Sequence, residues 1–198
     1  MIFRTTVLAL FILVAIAPAR AWTPAETATL EAGKPVVNLT PTPGGDATQI
    51  NAAIDIPAPA KTVWSVMTDC AHAMRFVPGL ESCRVLERDP KRRWEIIEHE
   101  ISWMWFLPRI HSVFRADYDP PKRLQFHRIS GTLSRNAGEW RLTTGPKGGT
   151  KGGTRVSYDA VVGVSVPVPD FMVESALKRD IATVLRRLKR ECQNAKRN

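Results

Sequence analysis

Asn51–Glu87, NAAIDIPAPAKTVWSVMTDCAHAMRFVPGLESCRVLE, is the stretch whose reading decides the fold. Ala52, Ile54 and Ile56 alternate with Asn51, Ala53 and Asp55, the period of a half-buried strand. Pro57 and Pro59 then stop the strand and hold the chain outside a helix until Ala60. From there Ala60, Val63, Trp64, Met67 and Cys70 fall at helical spacing on one apolar stripe, while Lys61, Ser65 and Asp69 look elsewhere. The stripe predicts a helix that ends at Cys70. Met74, Phe76, Val77 and Leu80 around Pro78-Gly79 predict a second apolar turn, and Cys83, Val85 and Leu86 begin another strand.

This run resembles the opening of the helix-grip superfamily of START-like, polyketide-cyclase-like and coenzyme-Q-binding proteins. There a strand ending in I-x-I-P-A-P leads into a V-W-x-V-x-T-D helix and an F-V-P-x-L turn. The residues that match are Ile54, Ile56, Pro57, Ala58, Pro59, Val63, Trp64, Val66, Thr68, Asp69, Phe76, Val77, Pro78 and Leu80. The likeness extends more loosely over residues 48–192. It implies an α+β helix-grip fold, a curved antiparallel sheet wrapped around a long C-terminal helix with an internal apolar cavity. It says little about the ligand, because one fold of this kind hosts lipid carriers, cyclases and plain ligand binders.

Residues 1–21 have the plan of an export signal: Arg4, an apolar run from Val7 to Ala17, and a small-x-small site at Ala19-Arg20-Ala21. The uncharged run from Thr5 to Ala19 is short for a membrane span, so cleavage is favoured over a retained anchor. Residues 22–198 would then remain, enough for one domain. The net charge of +9 falls by two once Arg4 and Arg20 leave. The surplus is spread along the chain with no interleaved aromatic-basic reader motif. A solvated basic surface is therefore expected rather than a nucleic-acid partner, with transient attraction to an anionic membrane surface as the second reading.

Three cysteines remain to be placed. Cys70 and Cys83 end one element and open the next, so in an oxidising compartment they are the natural disulfide pair. Cys192 lies four residues past Leu188 on the apolar stripe of the last helix, which reads as a small core residue. No histidine or carboxylate stands at zinc-finger spacing to a thiol, and neither metal nor cofactor is called for.

Before the quoted stretch, residues 22–47 read as a small appendage: a T-x-x-E capping box at Thr23 and Glu26, Pro24 at the first helical position, a stop at Gly33, a strand at Val36–Thr40 and a Pro/Gly linker. Asn38-Leu39-Thr40 matches a glycosylation sequon that matters only in a eukaryotic secretory route. After it, strands are predicted near 83–89, 93–102, 109–118, 123–130, 136–144 and 154–163. The glycine-rich run Gly145–Gly153 reads as a hairpin loop. Asp170 is a fitting N-cap for a helix to about Cys192, with Val173, Leu177, Ile181, Val184 and Leu188 as its buried stripe and residues 193–198 as a basic tail.

Strand phase names the residues that would face a cavity. Ser112, Phe114, Ala116 and Tyr118 alternate with His111, Val113, Arg115 and Asp117 in the sharpest contrast of the chain. The same phase turns Ile97, His99 and Ile101 inward, then Leu124, Phe126 and Arg128, then Trp140 and Leu142, then Val156, Tyr158 and Ala160. His99, Ser112, Tyr118, Arg128 and Tyr158 are the sparse polar members that would orient a ligand on an apolar wall. Arg128 is expected to anchor a polar end, because no acid occupies the matched inward positions. Trp103 and Leu177 complete the candidate ligand-binding set. Trp103–Pro108, WMWFLP, reads either as a cap on the cavity mouth or as a membrane-touching loop.

No G-x-S-x-G or H-E-x-x-H motif is present, and His111 and Ser112 point to opposite faces of one strand. The expected function is an exported, monomeric carrier or binder of a hydrophobic small molecule such as a lipid or isoprenoid quinone. A cyclase or dehydratase-like enzyme and a partner-binding domain with a filled core are the alternatives.

Overall fold

The structure is a computed structural model that describes residues 21–103, 108–145, 153–164 and 169–195. The leader, the glycine-rich run from 146 to 152, and Met104, Trp105, Phe106 and Leu107 lie outside the described residues, so the readings made on them stay expectations.

Helix α1, Pro24–Glu31, starts as its sequence requires: Thr23 and Glu26 cap each other reciprocally and Pro24 occupies the first turn. Strand β1, Val36–Pro41, pairs antiparallel with β2, Thr48–Ile56, as an edge strand of the main sheet. Helix α2, Ala60–Met67, and helix α3, Cys70–Phe76, follow. Then come β3 Leu80–Arg88, β4 Trp94–Ile101, β5 Ile110–Asp119, β6 Arg123–Gly131, β7 Leu133–Thr144 and β8 Thr154–Val164. Helix α4, Asp170–Ala195, closes the chain.

The eight strands form one antiparallel sheet in the order β1-β2-β8-β7-β6-β5-β4-β3, curved and unclosed. Long, strongly twisted antiparallel sheets curl, and this one curls around α4, which packs against β1, β2, α2 and α3. The core lies between: Ile50, Ile54, Ile56, Val63, Val66, Val156, Leu185 and Leu188 are fully sealed. This is the helix-grip architecture that the opening motif implies.

Two local departures from the sequence reading matter for the site. The helix predicted to end at Cys70 breaks at Thr68, because Asp69 adopts extended geometry and its carboxylate accepts from the Ala71 amide at 3.0 Å, nucleating a separate helix. Cys70 is therefore the first residue of α3. On α4 the buried stripe runs through Val173, Ala176, Val184, Leu185, Leu188 and Cys192, while Leu177 and Ile181 are half-buried.

Candidate functional site

The inner face of the sheet, α2, α3 and α4 together enclose a cavity of about 280 Å³. Its walls are apolar in most places: Ile97, Ile101, Phe114, Phe126 and Trp140 from the strands, Ile181, Val184 and Leu188 from α4. Inward phase delivers them because cross-strand partners share a face. Ile97 stands opposite Phe114, and Trp140 opposite Tyr158 and Leu124.

The aromatic rings form a continuous chain. His99 meets Phe114 edge-on at 5.0 Å, Phe114 meets Phe126 edge-on at 6.2 Å, Phe126 stacks on Tyr158 at 6.1 Å, and Tyr158 lies 4.3 Å from Trp140. Separately, Trp64 of α2 makes an edge contact with Tyr118 at 5.8 Å. Such offset and edge-on geometries are the favoured ones for ring quadrupoles.

The inward polar members of the sheet wall are few, and burial favours their uncharged forms. Desolvation lowers the His99 pKa from its usual 6.5 to about 4, so the imidazole is neutral. Burial pushes Tyr158 well above the ordinary phenol range, and burial together with the adjoining Glu95 carboxylate does the same to Tyr118. Ser112, only 4% exposed, stands directly opposite His99 across β4 and β5, and its hydroxyl oxygen accepts from Asn136 Nδ2 at 3.2 Å. The Tyr118 hydroxyl is not free for a ligand, because it donates to Glu95 Oε2 at 3.0 Å.

Nine of the twelve candidate ligand residues therefore border the cavity: Ile97, His99, Ile101, Ser112, Phe114, Tyr118, Phe126, Trp140 and Tyr158. Three do not. Trp103 is half-buried outside it and donates its indole N–H to Asp180 Oδ2 of α4 at 2.9 Å. Leu177 sits one turn too far toward the start of α4. Arg128 is exposed, and its guanidinium donates to the Gly131 carbonyl at 2.9 Å. The inward placement expected of Arg128 fails at a bulge between Val113 and Phe114, where β6 carries an extra residue, Ile129. Gly131 makes room for it, with φ +115° and a position where a Cβ would stand 2.2 Å from the His111 carbonyl oxygen.

Residues 56–189 match the sequence pattern of the family described as polyketide cyclase / dehydrase and lipid transport. The chain belongs to that family. Its fold recurs in solved structures at low identity. A STAR-related lipid transfer protein fragment from Xanthomonas axonopodis superposes with a TM-score of 0.67 at 14% identity, covering 80% of this chain and 93% of that one. The Zhui aromatase/cyclase from Streptomyces sp. R1128 gives 0.60 at 17%, covering 73% and 93%. A START superfamily protein from Mycobacterium smegmatis gives 0.61 at 16%, covering 74% and 97%. No curated protein sequence matches the chain. Family membership thus supports a fold that binds hydrophobic small molecules or lipids, or performs cyclase-type chemistry.

Within this family fold, the cavity also uses residues that strand phase alone did not single out. Asn136 shares the phase of Trp140 but is a polar residue near a strand start, which hides it among turn signals. Cys70 and Cys83 form a disulfide with a Cα–Cα distance of 5.4 Å, and both border the cavity, with Cys83 opposite His99 in the β3–β4 register. An acid does occupy the inward phase after all. Glu95, 3% exposed, is held by Arg88 Nε at 2.5 Å and by Tyr118, and does not border the cavity. Among the described residues no cluster of three His, Cys, Asp or Glu could hold a metal, and no helix is long and apolar enough to cross a membrane.

Proposed function

We propose that the protein is an exported binding or carrier protein that holds a hydrophobic small molecule, such as part of a lipid or an isoprenoid quinone, in the cavity between the sheet and α4. The observation that carries this reading is the cavity itself. Side chains as large as Phe114, Phe126, Trp140 and Tyr158 converge on it, yet about 280 Å³ is left open, room for roughly nine waters on a wall that offers water few partners. Each methylene moved there from water gains roughly 0.8 kcal/mol.

The leader sequence and the Cys70–Cys83 disulfide support export, because disulfides persist in oxidising compartments. Phe171, 67% exposed at the start of a basic α4, supports transient contact with a membrane surface during exchange. One observation favours the cyclase- or dehydratase-type alternative: the neutral His99 imidazole faces the same cavity and is in the protonation state of a general base.

Phe114→Asp and Phe126→Asp test the reading. Each should abolish uptake of a fluorescent hydrophobic probe while circular dichroism remains that of the wild type. Unchanged uptake by folded variants would reject it. Native mass spectrometry of protein from its own compartment should show a bound organic molecule, and its amino terminus should be Trp22.

A further inference from the structure

We infer that His99, Ser112 and Asn136 form a head-group subsite at one end of the cavity, and that its ligand is an uncharged molecule with an aromatic body and one carbonyl or hydroxyl oxygen. This inference rests on the cavity being a ligand site.

The three residues meet because of register. His99 and Ser112 are direct partners across β4 and β5, which places their Cβ atoms about 5 Å apart on the inner face. Asn136 of β7 reaches the same spot, and its amide donates to the Ser112 oxygen. That bond leaves the Ser112 hydroxyl proton free to donate. No described residue accepts it, and none hydrogen-bonds the His99 ring, whose contact is the edge of Phe114. Both groups open onto the cavity, where the apolar wall offers them no partner. An oxygen able to accept from Ser112 and to accept from or donate to His99 meets both.

Charge fixes the rest of the specificity. Arg128 is outside, and Glu95 is neutralised by Arg88 behind the wall. Asp69, the charged residue at the rim, has one oxygen on the Ala71 amide and the other on His72, and stands half in solvent. With burial holding His99 neutral, no full charge among the described residues inside the cavity stands ready to meet an ionised carboxylate or ammonium. Taking such an ion out of water without a partner is heavily penalised. The ring chain from Phe114 through Phe126 and Tyr158 to Trp140 presents edges and faces to a flat molecule instead.

Naphthalene, 2-naphthol and 2-naphthoate at neutral pH separate these terms, with binding followed by calorimetry. The wild-type protein should hold 2-naphthol about tenfold more tightly than naphthalene, and 2-naphthoate about tenfold more weakly than 2-naphthol. His99→Phe and Ser112→Ala should each bring 2-naphthol down to the affinity that naphthalene has for the same variant. Equal binding of the naphthoate and the naphthol, or a naphthol preference that survives both substitutions, overturns the subsite. Naphthalene bound without any preference for 2-naphthol overturns the subsite alone. Failure of all three to bind shows a filled core and rejects the ligand-site reading with it.

Discussion

Phe114 and Arg128 are cross-strand partners in β5 and β6, yet only Phe114 reaches the cavity, while Arg128 turns back over its own strand to the Gly131 carbonyl. The bulge at Ile129 explains both facts, since one extra residue changes the local twist and re-aims the side chains beside it. Removing the Arg128 charge should therefore be silent. Arg128→Met is expected to change probe affinity by less than about twofold and stability by less than about 0.5 kcal/mol, as for an exposed substitution. Titration of the variant with the same fluorescent hydrophobe checks this, and a loss of affinity would put the arginine back in the site.

A buried ion pair in the sheet behaves in the opposite way. Asp55 of β2 and Arg155 of β8 face each other in register and share two hydrogen bonds of 2.7 and 2.8 Å, with Asp55 only 5% exposed. The hydrogen bonds to the carboxylate in turn raise the Arg155 pKa, so the guanidinium stays charged. Arg155→Met strands the Asp55 charge and should cost about 3–5 kcal/mol in denaturant unfolding. The double variant with Asp55→Leu should recover a good part of that loss. Equal stability of the single and double variants would mean that the aspartate reaches water.

The Cys70–Cys83 disulfide fastens the start of α3 to β3, and α3 supplies Ala73 and Phe76, and its C-cap Val77, to the cavity wall. A seven-residue helix is too short to persist alone, so the crosslink and the packing on α4 share the task of holding it. Replacing both cysteines with alanine should lower stability by roughly 3 kcal/mol in the chain-entropy picture. Non-reducing peptide mapping should first show the two peptides linked. Free thiols at both positions in exported protein would remove the premise.

The fold was legible in the sequence because its signals are local and agree. Proline and glycine punctuate strands whose alternation is strict, and Ser112 to Tyr118 shows its inner face without ambiguity. The failures have a common physical source. A bulge adds a residue without disturbing the hydrophobic pattern, so Arg128 keeps its apparent phase. The break at Thr68–Asp69 is hidden because the helical stripe stays in register across it, and only the capping geometry of Asp69 separates α2 from α3. Glu95 could be placed on the inner face by phase, but not paired with Arg88, which is brought opposite it after a register shift between Val85 and Glu87. Periodicity gives the side on which a residue lies, whereas partners depend on register between strands distant in sequence.

His99 gives the chain a pH dependence with a definite sign. Its imidazole ionises near 6.5 in an unfolded chain and near 4 in the folded one, because burial penalises the charged form. Between those values the unfolded state binds the proton more readily, so stability is full above about 6.5 and falls as the pH drops toward 4. Below that it levels off, at a cost of roughly 3 kcal/mol. The groups against the ring bring no charge to it: Cys83 is in the disulfide, Ser112 and Phe114 are neutral, and the neighbouring Glu98 is engaged with His111 and Arg84, which lower its pKa. Other carboxylates do titrate in this window, so the informative quantity is the difference from His99→Phe. Urea unfolding at pH 7 and pH 4.5 should show the wild type losing about 2–3 kcal/mol more than the variant. Equal losses would mean that the imidazole is already solvated in the folded protein, with its pKa near the free value.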